Sequence, residues 1–190
     1  YLREVLSSHV DQTIAVRLTA SEPGKINFDT ELRGVRNSAH SNYATDYFRM
    51  DGKGENELIL TGKSADYMGI EGKLRYEARA QVHTNGGKVE RDGTKIKVSN
   101  SNSATILFVA ATNFIDYKDV SGNEKASVQH YLENLENKDY ATIRNGALKD
   151  YKNLFERVEL DLPSTSTSYL PTDERMVSIQ TDPDPQMSSL

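Results

Sequence analysis

The 190 residues contain no cysteine and no tryptophan. Without cysteine there is no disulfide, no thiolate nucleophile and no Cys-ligated zinc, and the compartment is left open. Without tryptophan, stacking on sugar rings falls to the ten tyrosines, which more often serve as core or interface aromatics with a wetted hydroxyl. Positive charge is also short, with a net charge of -5 at pH 7. Phosphate-backbone binding needs a surplus of Lys and Arg on one face, so nucleic acid is excluded as a partner. Apolar runs are short as well. The longest, Ala104 to Ala111, fits a buried strand and falls well below the ~18–20 residues of a membrane span. No signal-peptide pattern opens the chain, and in a segment of a longer protein that says nothing of export.

Chemical motifs are sparse. The four histidines, His9, His40, His83 and His130, form no H-x-H or H-E-x-x-H arrangement, so ordinary surface or packing roles are the better reading. Asp51-Gly-Lys-Gly-Glu55-Asn-Glu57 and Asp119-Val-Ser121-Gly-Asn123-Glu124 place oxygens at alternate positions. Both lack the glycine and glutamate spacing of an EF-hand loop, which favours solvated turns. No glycine-rich phosphate cradle and no Gly-x-Ser-x-Gly occur. Carboxylates abound, but a glycosidase needs two on opposite sides of one bond, which sequence distance cannot establish.

What is present is β-pattern followed by helix pattern. Hydrophobic residues make up 36%, below the roughly 45–50% of an average globular domain, yet they are gathered into regular runs. Ile14, Val16 and Leu18 alternate, and so do Ile26, Phe28, Thr30 and Leu32. The Pro23-Gly24 turn between them predicts an antiparallel hairpin. Residues 34 to 56 read as a long loop holding Tyr43, Tyr47 and Phe48. Glu57 to Thr61 is a short strand, and Leu74 to Val82 is the longest alternating run. It closes at Asn85-Gly86-Gly87, and Val89, Ile96 and Val98 continue the meander across Asp92-Gly93. Ala104 to Ala111 is a central strand covered on both faces. About seven such strands suggest an antiparallel sandwich.

From residue 119 the period changes. Glu124 opens a helix carrying Val128, Tyr131, Leu132 and Leu135. A second helix carries Ile143, Ala147, Tyr151, Leu154 and Phe155 on one stripe, with Gly146 inside it costing about 1 kcal/mol relative to Ala. Val158, Leu160 and Leu162 read as a short strand and Leu170 to Gln180 as an extended segment. Asp182-Pro-Asp-Pro185 is a stiff connection able to cap a following helix.

Asp150-Tyr151-Lys-Asn-Leu154-Phe155-Glu-Arg157-Val158-Glu-Leu160-Asp-Leu162 resembles the D-Y-x-x-L-F-x-R-V-x-L-x-L stretch of glycoside hydrolase family 95. Leu170-Pro171-Thr172-Asp173-Glu174-Arg175 resembles that family's L-P-T-D-E-R block, and Asp182-Pro183 with Leu190 its D-P-x-L-x-x-L region. Tyr1 to Val5, Asp11-Gln12, Val16 to Ala20, Pro23 to Lys25 and Gly86 to Val89 are similar to its sandwich strands. One position departs from the pattern: Ala147 stands where the family usually has histidine.

The resemblance implies an internal segment of a larger enzyme, α+β as it stands, with an antiparallel β-sandwich portion followed by a helical linker that leads into a helical-toroid catalytic domain. The implied parts are 1–118, the C-terminal part of the sandwich; 119–162, a helical linker with a short strand; and 163–190, an extended segment and the start of the catalytic domain. The family's activity is inverting hydrolysis of α-L-fucosides, with some members preferring α-L-galactosides. A glutamic acid protonates the leaving oxygen and an aspartate with paired asparagines activates water. Those residues are expected beyond Leu190, so no catalytic, cofactor-binding or metal residue is assigned here and no cofactor is called for. The expected partner is a fucosylated or α-L-galactosylated glycan, the expected location secreted or periplasmic, and the segment's role that of a scaffold. The alternative is a non-catalytic carbohydrate-binding or structural β-sandwich module.

Overall fold

The computed structural model describes residues 1–34 and 48–188. They form two compact units, Tyr1–Tyr151 and Lys152–Leu190. The first unit holds nine strands among the described residues: β1 Leu2–Ser8, β2 Thr13–Thr19, β3 Ile26–Glu31, β4 Phe48–Lys53, β5 Glu57–Lys63, β6 Arg75–Asn85, β7 Lys88–Asp92, β8 Lys95–Ser101 and β9 Ser103–Thr112. Six make an antiparallel sheet in the order β1-β2-β9-β6-β5-β4, and three make a smaller sheet in the order β3-β8-β7. Helices α1 (Glu124–Leu135) and α2 (Tyr140–Phe155) follow.

The period of two in β9 explains the layering. Leu107 and Val109 join Ala15, Val128, Leu132, Leu135 and Ile143 in a cluster beneath the helices. Ile106 and Phe108, on the opposite face, pack against Leu58, Ala80, Val82, Ile96 and Val98 between the two sheets. Both faces of β9 are therefore covered, as its unbroken apolar run requires. Each fully buried aliphatic side chain contributes roughly 1.5–3 kcal/mol, so the two clusters hold helices and small sheet to opposite faces of the large one.

Two of the expected hairpins are absent. β2 pairs with β1 and β9, while β3 pairs with β8 in the other sheet. The Pro23-Gly24 connection thus crosses between sheets, and so does Gly86-Gly87, since β6 and β7 belong to different sheets. The β8–β9 passage at Asn102 is a third crossing, and it ties the other two. Its carbonyl accepts from the Ala20 N–H at 3.4 Å, and its own N–H donates to the Asn85 carbonyl at 2.9 Å. Its side-chain Oδ1 accepts from the Gly24 N–H at 2.9 Å. Gly87 has φ +72°, and a Cβ there would stand 2.3 Å from the Ser99 carbonyl oxygen. That position is open only to glycine. The β7–β8 hairpin across Asp92-Gly93 forms as expected.

Residues 48–53, expected within a loop, are the edge strand β4 on β5. The expected aromatics Tyr43 and Tyr47 lie outside the described residues. α1 begins where the sequence placed it, with the Asn123 side chain accepting from the Ala126 N–H at 3.1 Å. This is a standard N-cap.

In the second unit, residues 158–165 form no strand. Val158 and Leu160 are exposed, and an alternating trio with no partner strand satisfies no ladder bonds. Leu170 to Gln180 is not extended either. A 3-10 turn at Ser166–Tyr169 is followed by helix α3, Thr172–Ser178. Pro171 precedes it and Asp173 and Glu174 occupy its first turn, where acidic side chains favour the helix dipole. Asp184 caps a last short helix, α4 Pro185–Ser188, with the Met187 N–H donating to its Oδ1 at 3.1 Å. Pro185 in the first helical position fits the expected stiff connection.

Candidate functional site

The polar interior is a set of ion pairs. On the outer, helix-facing side of the large sheet, Arg79 donates from Nε to Glu77 Oε1 at 2.7 Å and from Nη1 to Glu57 Oε1 at 3.2 Å. It also reaches Gln129 of α1 at 3.2 Å, and Gln81 donates to Glu57 Oε2 at 2.8 Å. At the β1–β2 turn, Ser8 donates to Asp11 Oδ2 at 2.6 Å and Lys138, between the helices, donates to Oδ1 at 2.6 Å. Glu124, at the start of α1, accepts from Arg75 at 3.2 Å. Beside it the buried Asn113 bonds the Arg75 N–H and the carbonyls of Lys73 and Val120.

The second unit has a buried ion pair among its described residues. Arg175, from the L-P-T-D-E-R block, donates from Nε and Nη2 to the two oxygens of Asp184 at 2.8 Å each. Thr167 adds a hydroxyl at 3.4 Å. The guanidinium, with the Met187 N–H, lowers the Asp184 carboxyl to a pKa of about 2 against burial's opposing pull.

The residues singled out in the sequence do not converge. His9 is exposed, with Nδ1 3.8 Å from Asp150 Oδ2. His130 meets only Asn134, one turn on in α1, at 3.1 Å among its described polar neighbours, and His40 lies outside the described residues. His83 reaches solvent at the edge of a cleft of about 240 Å³ shared with Arg17, Asp139 and Tyr140. The chain crowds it enough that desolvation lowers its pKa. Asp51 turns to Arg49 and Glu55 to the Arg91 N–H, while Glu57 belongs to the Arg79 cluster, so that acidic run forms no cage. In the other, Asp119 caps the Ser121 N–H and Asn123 caps α1. Among the described residues no three His, Asp or Glu side chains gather as a metal would require.

Ala147 lines a cleft of about 420 Å³ between β1 and α2, with Glu4, Leu6, Arg144 and Tyr151. A larger cleft, about 520 Å³, opens between β2 and β3 over Val16, Leu18, Phe28 and Ile106. Its size suits a ligand, but its lining is largely apolar, and Arg3, Lys25 and Asp29 are the charged groups in its wall.

This arrangement has a chemical consequence. The buried carboxylates among the described residues are Asp11, Glu57, Glu77, Glu124 and Asp184, and each meets a Lys or Arg. A general acid for glycoside cleavage needs a carboxyl whose proton is retained near neutrality. Asp184 is displaced the other way. Sequence patterning missed most of these pairs because their partners lie on separate elements, as Asp11 and Lys138, Glu57 and Arg79, and Arg75 and Glu124 do.

Comparison with known proteins divides the chain at a different point from its two compact units. Residues 1–117 match the model of the glycosyl hydrolase family 65 N-terminal domain, and residues 139–190 match that of the glycosyl hydrolase family 95 catalytic domain. Alpha-L-fucosidase 2 of Arabidopsis thaliana is 29% identical over 221 aligned positions, which take in the whole of this chain and 25% of that protein. The chain thus spans about a quarter of this relative's length. A solved human-microbiome protein assigned as a kojibiose phosphorylase superposes with a TM-score of 0.45 at 12% identity, over 80% of this chain and 20% of that one. The chain belongs, by the match over residues 1–117, to the glycosyl hydrolase family 65 N-terminal domain family, and the catalytic-domain match over residues 139–190 makes it a segment like those of glycoside hydrolase family 95.

Proposed function

We propose that these residues are part of an inverting α-L-fucosidase-like glycoside hydrolase, and that this segment positions the catalytic helical domain on a β-sandwich. The observation that carries the proposal is the collinear pair of family matches, sandwich then catalytic domain, along a chain whose full length aligns with a plant α-L-fucosidase. The pairing of each buried carboxylate among the described residues with a cation supports a positioning role over a catalytic one. In this proposal the acid and base come from the helical toroid, the substrate is a fucosylated or α-L-galactosylated glycan, and the enzyme is exported.

The test uses the full-length polypeptide and the 190-residue chain side by side on an aryl α-L-fucoside, with the first-formed anomer read by NMR. The full-length protein is expected to release inverted sugar and the 190-residue chain to give no turnover. Hydrolysis by the short chain would overturn the positioning role, and a retained anomer would overturn inversion. Fractionation of the native host for the full-length protein tests export.

A further inference from the structure

Helix α2 carries one apolar stripe with two fates. Successive helical residues advance about 100°, so Tyr140, Ile143, Ala147, Leu148, Tyr151, Leu154 and Phe155 lie within an arc of about 140°. Leu154, three turns after Ile143, returns to within about 20° of it. Ile143 is 1% exposed, within the cluster between sheet and helices, whereas Leu154 is 60% exposed and Tyr151 and Phe155 are more than half exposed. The opposite side of the helix, at Asn145, Lys149 and Lys152, is polar and exposed. A stripe of this width is built to face a packed surface along its whole length.

The residues matched by the catalytic-domain model start at 139, one residue before α2, rather than after it. The helix therefore sits in the sandwich unit through its first turns while its sequence belongs with the catalytic domain. Resting on the function proposed above, we propose that the C-terminal half of α2, with Leu148, Tyr151, Leu154 and Phe155, is the seat on which the remainder of that catalytic domain, in the same polypeptide, packs. The continuity of the match through α2, in a chain spanning a quarter of its relative's length, favours this occupant over a second copy or an unrelated protein.

Thiol labelling tests this directly, because the 190 residues contain no cysteine. Leu148→Cys, Leu154→Cys and, on the polar side, Lys149→Cys are introduced singly into the full-length polypeptide. Maleimide uptake at each position is then read by peptide mass mapping, at several protein concentrations. The thiols introduced by Leu148→Cys and Leu154→Cys are expected to react at least about tenfold more slowly than the one introduced by Lys149→Cys in the native protein, and equally after denaturation, as for any site shielded by stable packing. Protection should not change with dilution. Equal labelling at the three sites in a protein that hydrolyses α-L-fucosides overturns the docking surface while leaving the functional proposal intact. Protection that disappears on dilution also overturns it, in favour of a second copy. Full protection in a protein with no glycosidase activity overturns the functional proposal instead.

Discussion

Replacing Ile143 by alanine tests how α2 is held. Ile143 is the only buried side chain on this helix among the described residues, and it shares its cluster with Ala15, Leu107, Val109, Val128, Leu132 and Leu135. The change deletes three carbons, worth about 2.4 kcal/mol at ~0.8 kcal/mol each. A residual cavity adds to that, because strands on one side and α1 on the other limit collapse. The expected loss is roughly 3–4 kcal/mol, inside the 2–5 kcal/mol span for such deletions. Urea unfolding of the 190-residue chain, followed by far-UV circular dichroism, should show a lower midpoint with an unchanged slope. Leu154→Ala deletes the same number of carbons from nearly the same side of the same helix, yet its side chain is already 60% exposed. Its cost in this chain should stay near 0.5 kcal/mol. Equal losses for the two variants, or a loss below about 1 kcal/mol at Ile143, would refute the division of α2 into a buried half and an open half.

Gly87→Ala places a Cβ 2.3 Å from the Ser99 carbonyl at φ +72°; the left-handed backbone alone costs roughly 1–2 kcal/mol, so thermal melting should show a larger loss than at Gly93, where a Cβ meets open space. Arg79→Ala leaves the buried Glu57 and Glu77 without their shared cation, and equilibrium unfolding should register about 3–5 kcal/mol; a loss under 1 kcal/mol would mean the cluster is already hydrated. Asp184 binds its proton less readily folded, at a pKa of about 2, than at the ordinary 3.8, so the stability it contributes is full above pH 3.8 and is lost as pH falls through about 2. Asp184→Asn should remove that acid-side dependence in a pH series of proteolysis rates for the second unit. Ala147→His restores the family's usual residue in a cleft of about 420 Å³, and stability should stay within about 0.5 kcal/mol; a changed kcat in the full-length enzyme would give that position a part in the chemistry.

The parts legible in the sequence were those set by local chemistry. The period of two in β6, the unbroken apolar run of β9, the Asn123 cap and the 3.6 period of α1 and α2 each need no knowledge of a distant partner. The crossings between sheets do. Pro23-Gly24 and Gly86-Gly87 carry the same turn residues a hairpin would use, and what turns them into crossings is Asn102, which lies far from both in sequence. β4 was hidden for a related reason. Phe48–Lys53 carries Arg49, Asp51 and Lys53, charges that suit an edge strand and read as loop without sight of β5. α3 has only seven residues, too few to display a helical period, and its seating depends on Arg175 finding Asp184 across an intervening turn.

The same distinction bears on the site. The ion pairs on the outer face of the sheet join segments far apart in the chain: Asp11 to Lys138, Glu57 to Arg79, and Arg79 onward to Gln129 of α1. Their effect is to fix where the helices stand on the sheet, since a charge taken from water is tolerated only where its counter-charge is held in place. Proton transfer asks for the reverse, a carboxyl kept protonated by an apolar or anionic setting. Asp184 has a bidentate guanidinium, from Arg175 of the L-P-T-D-E-R block, and a backbone N–H drawing its carboxyl toward the ionised form. That residue therefore belongs to a clamp that orders the chain between Thr167 and Met187, and a general acid for sugar cleavage requires an environment of the opposite sign.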